Sequence, residues 1–414
     1  NSMEISKTSD NEERLVLKGR RIALGITGSI ASYKAADIAS QLRTLGAIVE
    51  VLFTKEATRF ITPLTLHALT GIEPTIEMAD APEAEAHVEV ARRIDALIIA
   101  PATANCIANL AHGQTNDAVT LTALATTAPV LIAPAMDNQM WLHSATQTNI
   151  QTLTARNIKF IGPEEGRLAS GRIGLGRLSA TESVIGKLRE ILGTLDGDLK
   201  GKNLVVTAGG TEEALDPVRY IGNRSSGKMG FALAQAGIDR GAKVTLVSAP
   251  SNLQTPVGVN RINITTAAEM FAELQKINST ADALIMAAAP ADFAPSKSAK
   301  QKLKKTDFNE KGLSLTLEPT TDILGNLNGP GVRVGFAAET EHIDKYAKEK
   351  LQAKKLHFIV ANDVSADGSG FNTETNEVTI FSNNGDTEKI PLLSKYTVAH
   401  KILDRVARLL DSEV

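Results

Sequence analysis

Short apolar runs alternate with amphipathic helical segments along most of the chain. The runs are apolar on both faces, which is typical of strands buried inside a parallel sheet. The predicted strands are residues 21–26, 48–54, 96–100, 130–133, 203–207, 243–247, 283–287, 332–336 and 358–361. Helical segments between the strands serve as crossover connections, so the pattern predicts an α/β protein.

The chain has 414 residues, which is long for one domain, and its composition changes near residue 195. Residues 193–202 (GTLDGDLKGK) are rich in glycine and charge, as a linker would be. Because Asn1-Ser2-Met3 resembles an expression scar, we expect residues 1–18 to be a tag and leader. Residues 19–192 and 203–414 are then the two predicted domains.

The chain contains one cysteine and carries a formal net charge of −3. A single cysteine excludes an intrachain disulfide and a cysteine-cluster metal site, so a reducing, cytoplasmic compartment is expected. The balanced charge gives no argument for a nucleic-acid partner. No apolar run reaches the roughly 18 residues of a membrane span, so no membrane partner is expected.

Small and polar residues follow three predicted strands of the first half. Gly28 and Ser29 lie in the turn after the first strand, Thr54 ends the second, and Thr103 and Asn105 follow the third. Ligands of open α/β sheets bind beyond the carboxyl ends of strands, so these turns are expected to converge on one site. The first turn matches neither GxGxxG nor GxxxxGK[ST], and it either binds phosphate or is a plain tight turn.

Three further segments of the first half carry reactive or charged side chains. His87, in the acidic stretch EAHVE, is either catalytic or a solvated surface residue. PAMDNQMW (residues 134–141) includes Asp137 and Met140 and is either a contact site or a packed Met/Trp corner. GRLASGRIGLGR (residues 166–177) contains three arginines and is either a mobile flap over an anion or a surface loop.

A basic segment of the second half nearly matches a P-loop. GNRSSGKM (residues 222–229) has Met229 where a Mg²⁺-binding hydroxyl is needed, and no strand directly precedes it, so a Walker ATPase is not expected. Arg219, Asn223 and Arg224 lie with two serines and a lysine at a predicted helix N-terminus. This cluster favours an oxyanion site, and a solvated basic turn is the alternative.

Charged residues farther along the second half complete the candidate set. Asp292 follows a buried strand and so lies at the ligand edge of the sheet. Lys302, in KLKK, is either catalytic or part of a solvated charge run. Lys350 and Lys354 share one helix face, which either contacts a polyanion or is an exposed lysine face.

The first half resembles the flavin-containing cysteine decarboxylases, in particular phosphopantothenoylcysteine decarboxylase. The shared motifs are GITGSIASYK (25–34), the AH pair (86–87), APATAN (100–105), PAMDNQMW (134–141) and GRLASGRIGLGRL (166–178). The resemblance implies a flavodoxin-like domain that uses FMN to remove carbon dioxide from phosphopantothenoylcysteine. It implies that His87 is the active-site histidine and that segment 166–177 is the substrate flap. FMN would be held by Gly28, Ser29, Thr54, Thr103 and Asn105, and the substrate by Asp137 and Met140.

Two residues depart from that family's pattern. Asp137 replaces an asparagine and puts a negative charge near the substrate carboxylate. Ser170, at the catalytic position of the flap, replaces the cysteine that donates the final proton. A serine hydroxyl is a far weaker acid than a thiol, so we expect another proton donor or slow turnover.

The second half resembles the phosphopantothenoylcysteine synthetase half of the bifunctional bacterial coenzyme A enzyme. The shared motifs are AGGTEEALDPVRYIGNRSSGKMG (208–230), APADF (289–293), KLKK (302–305), GFAAET (335–340) and ANDVS (361–365). The resemblance implies a Rossmann-like ligase domain that activates 4′-phosphopantothenate with CTP and transfers it to cysteine. Arg219 and Arg224 would bind substrate, Lys302 would promote formation of the acyl-cytidylate, and Asn223 would act on it. CTP would be held by Met286, Ala287, Ala288, Asp292, Lys302, Thr321, Asp322, Ile323, Leu324, Phe336, Lys350 and Lys354.

Together, the two resemblances imply a two-step enzyme of coenzyme A biosynthesis with FMN as cofactor and Mg²⁺ assisting CTP; no metal ligand is assigned. They imply a homo-oligomer with flavin-domain trimers and ligase-domain dimers, with a dodecamer as the largest assembly. Two other interpretations stay open: a CTP-dependent ligase with a weak or structural flavin domain, and a flavin-bound regulatory scaffold.

Overall fold

The computed structural model describes residues 15–76, 86–169, 171–304, 313–329, 331–339, 343–363 and 373–412. The chain divides into two compact units, Asn1–Leu192 and Gly193–Val414. Both units contain a parallel sheet covered by helices, so the predicted α/β class is confirmed.

Unit 1 is built on a parallel sheet with strand order β2-β1-β3-β4-β5. Its strands are β1 (Arg21–Ile26), β2 (Ile48–Phe53), β3 (Ala96–Ala102), β4 (Val130–Pro134) and β5 (Lys159–Phe160), and the antiparallel pair β6 (Glu164–Arg167) and β7 (Ile173–Arg177). Its helices are α1 (Lys34–Thr44), α2 (Pro63–Thr70), α3 (Ala86–Arg93), α4 (Ala104–His112), α5 (Ala118–Ala125), α6 (Asn138–Leu142), α7 (Ser144–Ala155) and α8 (Thr181–Asp196). This 2-1-3-4-5 order is that of flavodoxin-like folds, in which the switch point lies between β1 and β3.

The ends of unit 1 differ from the sequence-based boundaries. Leu17, which we expected in a leader, is buried in the core, and its backbone N–H donates to the carbonyl oxygen of Leu45 (2.9 Å). Burial of this single apolar side chain extends the packed unit before residue 19. At the other end, α8 continues to Asp196, so the expected linker 193–202 begins inside a helix.

Unit 2 is built on an eight-stranded sheet with the order β12-β11-β8-β13-β16-β17-β18-β19. Its strands are β8 (Asn203–Ala208), β9 (Glu213–Ala214), β10 (Tyr220–Ile221), β11 (Lys243–Ser248), β12 (Asn260–Asn263), β13 (Ala283–Met286), β14 (Phe293–Pro295), β15 (Leu317–Pro319), β16 (Val332–Glu339), β17 (Phe358–Asp363), β18 (Thr375–Ser382) and β19 (Thr387–Ser394). Its helices are α9 (Lys228–Asp239), α10 (Ala267–Ile277), α11 (Ile323–Asn326), α12 (Ile343–Ala353) and α13 (Lys395–Ser412). Strands β18 and β19 pair antiparallel, and the main-sheet strands before them pair in parallel.

The first six parallel strands of this sheet follow the Rossmann order 3-2-1-4-5-6, with the switch point between β8 and β13. Two apolar cores cover its faces. One contains Phe231 of α9 and Ile402 of α13, and the other contains Leu324 of α11 and Leu351 of α12. Helices α9 and α13 therefore lie on one face of the sheet, and α11 and α12 lie on the opposite face.

Candidate active sites

The switch point of unit 1 is held together by Thr27. Its hydroxyl donates to the carbonyl oxygen of Pro101 (2.7 Å) and accepts from the backbone N–H of Thr103 (3.1 Å). These bonds tie the turn after β1 to the end of β3. They place the turn that contains Gly28 and Ser29 next to Thr103.

Gly28 allows a close approach between the turns that follow β1 and β2. A Cβ atom at Gly28 would lie 2.5 Å from the Cβ of Glu56, which is closer than real Cβ contacts allow. The neighbouring Ser29 caps the short 3-10 helix Ile30–Tyr33, and its hydroxyl accepts from the N–H of Ala31 (3.2 Å). The turn is therefore compact and leads directly into a short 3-10 helix.

Thr54 presents a buried hydroxyl without a partner at the end of β2. The residue is 4% exposed, and its Oγ1 has no hydrogen-bond partner in the described part of the chain. Buried side-chain hydroxyls generally have such a partner, so this one fits a polar group supplied by a ligand. Thr103 caps α4, and Asn105 in the first turn of α4 is exposed. The polar groups of these threonines and Asn105, together with the compact turn at Gly28, lie at the switch point of the sheet. They fit a flavin, whose phosphate and polar ring edge need hydrogen-bond partners.

The PAMDNQMW segment contacts the β6–β7 hairpin, which is the segment that the sequence predicts to be either a flap or a surface loop. The N–H of Met136 donates to the carbonyl oxygen of Gly176 (3.0 Å), and the N–H of Leu175 donates to Oδ1 of Asn138 (3.0 Å). A Cβ at Gly176 would lie 2.1 Å from the carbonyl oxygen of Met136. The glycine spacing of the hairpin is thus required for this close packing.

Asp137 is the N-cap residue of α6. Its carboxylate accepts from the backbone N–H of Gln139 (2.9 Å). Asparagine and aspartate cap helices about equally well, so the cap explains why either residue is tolerated here. Met140 lies in the same short helix and is exposed.

Two predicted catalytic residues of unit 1 have no side-chain description. Helix α3 begins at Ala86, but the side chain of His87 lies outside the described part of the structure. Ser170 also lies outside the described residues. Their assigned roles therefore stay predictions.

Lys34 is a residue of unit 1 to which the sequence assigned no role. Its ammonium group donates to the carbonyl oxygen of Leu178 (3.2 Å), just beyond the hairpin. Burial lowers the pKa of Lys34, the charge of Arg177 lowers it further, and Glu164 opposes both. Lys34 is the last residue of the GITGSIASYK motif. Its place in that motif is the only sequence feature that would have drawn attention to it.

A cavity of about 630 Å³ lies at the switch point of the unit 2 sheet. Every residue predicted to hold CTP lines it, with the exception of Lys302. These residues come from the end of β13, the turn before α11, strand β16 and the end of α12. The sheet order brings these segments together because the carboxyl ends of parallel strands share one edge.

Lys350 in the last turn of α12 and Lys354 directly after the helix line this cavity, and both have polar partners. Lys350 donates to the carbonyl oxygen of Phe336 (2.9 Å), and Lys354 is ion-paired with Asp322. Burial opposes ionisation of Asp322, but the hydrogen bonds from Lys354 and the Gly325 N–H outweigh it and lower the pKa of Asp322. A triphosphate bound here would compete with Asp322 for Lys354.

Asn223 lines the same cavity from the opposite side of the switch point. Its amide Nδ2 donates to the carbonyl oxygen of Pro290 (2.8 Å), in the APADF motif. Gly210 permits this arrangement, since a Cβ there would lie 2.3 Å from the carbonyl oxygen of Asn223. The structure thus brings together two motifs that lie far apart in the sequence.

Three predicted residues of unit 2 lie apart from the cavity lining. Arg224 and Lys302 are exposed and do not line it. Arg219 also lies outside the lining, and its guanidinium is paired with the buried carboxylate of Asp216. The hydrogen bond from Arg219 holds the pKa of Asp216 well below its usual range, and backbone N–H groups add to this effect.

The cavity also contains polar residues that the sequence did not predict: Asn362, Asn376 and Lys395. Asn376 and Lys395 belong to β18 and the start of α13. Neither residue lies in a motif that the sequence analysis singled out. Asn362 lies in the ANDVS motif, which was the only quoted sequence motif at this end of the cavity.

No group of three or more histidine, cysteine, aspartate or glutamate side chains in the described residues is arranged to hold a metal ion. No described helix combines the length and apolarity needed to cross a bilayer.

Two protein-family models match this chain, one in each unit. The Flavoprotein model matches residues 10–193. The model described as "DNA/pantothenate metabolism flavoprotein C-terminal domain" matches residues 199–410. The order of the two matches is the order that the motifs predicted.

Known proteins resemble each unit and the chain as a whole. The crystal structure of the C-terminal domain of coenzyme A biosynthesis bifunctional protein CoaBC is 34% identical, with a TM-score of 0.45, over 52% of this chain and 100% of that one. An FMN-dependent cysteine decarboxylase, SpaF, is 30% identical, with a TM-score of 0.36, over 41% of this chain and 97% of that one. The bifunctional protein CoaBC of Vibrio vulnificus (strain CMCP6) is 44% identical over 95% of this chain and 99% of its own length. The chain therefore belongs to the family of bifunctional coenzyme A biosynthesis proteins, which pair a phosphopantothenoylcysteine decarboxylase with a phosphopantothenate–cysteine ligase.

Proposed function

We propose that unit 2 joins 4′-phosphopantothenate to cysteine at the expense of CTP, and that unit 1 decarboxylates the product to 4′-phosphopantetheine. The observation that carries the ligase assignment is the cavity at the switch point of unit 2. Its lining contains all predicted nucleotide residues except Lys302, and it includes three asparagines and four lysines in total. Such a lining suits two anionic substrates that must react with each other.

In the ligase step, the carboxylate of 4′-phosphopantothenate attacks the α-phosphorus of CTP and pyrophosphate leaves. The cysteine amine then attacks the acyl carbon of the resulting acyl-cytidylate, and CMP leaves as the amide forms. Lys350 and Lys354 neutralise charge that develops on the phosphates, since cationic donors stabilise such a transition state. Asn223 positions the acyl group from its place beside Pro290.

Lys302 would promote the first of these steps. It is exposed next to Leu303, whose backbone is held by Asp216 and Arg219. We propose that the segment carrying Lys302 approaches the phosphates when CTP binds. Mg²⁺ would be held mainly by the triphosphate, because the described residues supply no metal-binding cluster of their own.

In the decarboxylase step, the residues that would hold FMN are Gly28, Ser29, Thr54, Thr103 and Asn105. When bound, FMN supplies a reversible two-electron acceptor for the substrate. Thr54 would hydrogen-bond the cofactor through its unpaired hydroxyl, and the 3-10 helix N-terminus at Ser29 would face its phosphate. The hairpin docked on Asn138 would cover the substrate and exclude water. His87 would act as the active-site histidine, as the motif implies.

A second candidate function is a ligase whose flavin unit turns over slowly. It is favoured by Ser170 and Asp137, which replace the cysteine and asparagine of the decarboxylase pattern. Asp137 caps α6, so its charge is fixed near the docked hairpin. Measured release of carbon dioxide distinguishes this candidate from the two-step enzyme.

The assembly implied by the family is part of the proposal. We expect trimeric contacts between flavin units, dimeric contacts between ligase units and a dodecamer as the largest form. The cytoplasm, where cysteine stays reduced, is the expected compartment.

One assay with two readouts tests the proposed function. Wild-type protein should release pyrophosphate from CTP when 4′-phosphopantothenate is present and should form CMP in full amount only when cysteine is also added, and it should show a visible flavin band. Lys302→Gln should abolish CMP formation and leave the flavin band unchanged. Persistent ligation by this variant would remove Lys302 from the reaction, and a colourless protein that cannot be reconstituted with FMN would contradict the decarboxylase assignment.

A further inference from the structure

The segment that follows β13 forms one wall of the ligase cavity. It comprises residues 287–292 (AAAPAD), and all six line the cavity. Side chains from three other segments bind the backbone of Pro290 and Ala291. One of them is Asn223, which donates to the carbonyl oxygen of Pro290. The other two are threonines.

Thr211 and Thr320, the threonine pair, hold the two backbone groups of Ala291. The N–H of Ala291 donates to Oγ1 of Thr211 (2.9 Å), and the carbonyl oxygen of Ala291 accepts from Oγ1 of Thr320 (2.6 Å). Ala291 is 3% exposed and Thr211 is 1% exposed, so the first of these bonds is buried. Buried backbone groups are nearly always paired, so loss of either hydroxyl leaves Ala291 with an unsatisfied group. The orientation of Ala291 therefore depends on both hydroxyls.

Thr320 also ties this wall to a second wall of the cavity. Its N–H donates to the carbonyl oxygen of Asp292 (2.9 Å), which extends the antiparallel pair β14–β15 by one residue. Residues 321–324 follow directly and line the cavity, and Asp322 among them is the N-cap of α11. One residue thus sets the spacing between two segments that are predicted to hold CTP.

Asp292 depends on this backbone for its orientation. The residue lines the cavity, and its carboxylate accepts no hydrogen bond from the residues that the structure describes. The direction of the side chain is then set by the backbone at Ala291 and Asp292. Groups that are held in their binding geometry before the ligand arrives bind it more tightly, because less ordering is needed on binding.

We propose that Thr211 and Thr320 are positioning residues for the nucleotide, which hold Ala291 so that Asp292 and the turn before α11 are set for CTP before it binds. The proposal rests on the ligase function above. Thr211 is not among the residues that line the cavity, so its effect on CTP passes through Ala291. Neither hydroxyl takes part in the chemical steps, so the pair acts on nucleotide binding and not on the rate at saturation.

Isothermal titration calorimetry with CTP and Mg²⁺ on the full chain tests the threonine pair. Valine has nearly the shape of threonine but no hydroxyl, so Thr211→Val and Thr320→Val should each raise the CTP dissociation constant about fivefold or more. In the pyrophosphate assay, the KM for CTP should rise by a similar factor, while kcat and the KM for 4′-phosphopantothenate change by less than about twofold. Thr320→Ser keeps the hydroxyl and should bind CTP within about twofold of wild type.

The matched control is Thr126→Val in unit 1. The hydroxyl of Thr126 has the same kinds of backbone partner, since it donates to the carbonyl oxygen of Ala91 (2.8 Å) and accepts from the N–H of Ala128 (3.1 Å). This variant should lower the urea midpoint as the other valine variants do and leave the CTP dissociation constant unchanged.

A double variant shows whether the two hydroxyls act through the same residue. Thr211→Val combined with Thr320→Val should raise the CTP dissociation constant by less than the product of the two single factors, because the first loss already frees Ala291. Independent, multiplicative effects would contradict a shared action on Ala291.

Three other outcomes would overturn the proposal: unchanged CTP affinity in the valine variants, an equal loss in Thr126→Val, and an equal loss in Thr320→Ser. Urea unfolding shows which variants are folded. If Thr211→Val does not fold, the comparison of Thr320→Val with Thr320→Ser decides: a loss confined to valine supports the positioning role, and equal affinities contradict it. A wild type that binds no CTP contradicts the ligase function itself, and the positioning role falls with it. A wild type that binds CTP no better than both valine variants keeps the ligase function and removes only the positioning role.

Discussion

The buried carboxylate of Asp216 and the exposed guanidinium of Arg219 form an ion pair that also binds the backbone of Leu303. Oδ2 of Asp216 lies 3.0 Å from Nε and 2.5 Å from Nη2 of Arg219, and it accepts from the Leu303 N–H (3.1 Å). Nη2 of Arg219 donates to the Leu303 carbonyl oxygen (2.9 Å). The pair thus ties the segment that carries Lys302 to the loop before β10. Arg219, which the sequence predicted to bind substrate, instead bonds to Asp216 and helps to position Leu303.

Asp216→Asn should release this segment. An amide cannot form the ion pair and cannot accept from all of the same N–H donors, so Lys302 loses its anchored neighbour. We expect pyrophosphate release to fall by about tenfold or more. CTP affinity should change by less than about threefold because the cavity lining is retained. Glu388→Gln, which breaks the exposed pair with Arg405, is the control and should leave turnover unchanged. Equal losses in the two variants would contradict a specific role for Asp216.

The same pair predicts how stability depends on pH. The pKa of folded Asp216 lies well below its usual range, whereas an aspartate in the unfolded chain titrates near 3.9. The ionised carboxylate therefore stabilises the folded protein fully above about pH 4, and this stabilisation is lost as the pH falls toward the folded pKa. The difference in urea midpoint between wild type and Asp216→Asn should be constant from about pH 7 to 5 and shrink below about pH 4. A difference that grows on acidification would contradict this account.

Thr54→Val should have opposite effects on the apoprotein and on cofactor binding. Valine has nearly the same shape, so removing an unpaired buried hydroxyl should leave the apoprotein unchanged or stabilise it by up to about 1 kcal/mol. FMN affinity, measured by fluorescence titration, should fall because the hydroxyl would otherwise bind the cofactor.

The matched control for that experiment is Thr70→Val. The buried hydroxyl of Thr70 donates to the carbonyl oxygen of Leu66 (2.8 Å). This variant should lose about 1 kcal/mol of stability and keep its FMN affinity. If Thr54→Val bound FMN as tightly as wild type, Thr54 would not be a cofactor residue.

Asp137→Asn separates the capping role of Asp137 from its charge. Both residues cap a helix, so thermal stability should stay within about 0.5 kcal/mol of wild type, while Asp137→Ala should lose about 1 kcal/mol. Loss of the negative charge near a substrate carboxylate should lower the KM for decarboxylation of phosphopantothenoylcysteine. An unchanged KM in Asp137→Asn would show that Asp137 does not face the carboxylate.

The central strands could be predicted from the sequence because burial on both faces leaves a run of apolar residues. The predicted strand 21–26, for example, is β1 (Arg21–Ile26). The strand orders of the two sheets needed the structure, since the pattern does not specify which strands are neighbours. The strands of the β6–β7 hairpin could not be predicted because their residues are mostly exposed and form no apolar run.

In the candidate ligase site, too, some residues could be predicted from the sequence and others could not. Its nucleotide residues could be predicted from family motifs that follow strands, and the structure brings all but Lys302 to one cavity. Lys395 and Asn376 could not be found in this way because they belong to no quoted motif. Lys395 gains its position from the cap at Ser394, whose hydroxyl accepts from the Thr397 N–H (3.1 Å) and starts α13 earlier than its apolar pattern.

The most direct test of the two-step account is to follow carboxyl-labelled cysteine through the complete reaction. The wild-type chain is incubated with 4′-phosphopantothenate, CTP, Mg²⁺ and FMN, and labelled carbon dioxide and CMP are measured together. We predict that labelled carbon dioxide appears only when CTP is present and never exceeds the CMP formed. CMP without labelled carbon dioxide would restrict the protein to the ligase step. The absence of both products would contradict the account.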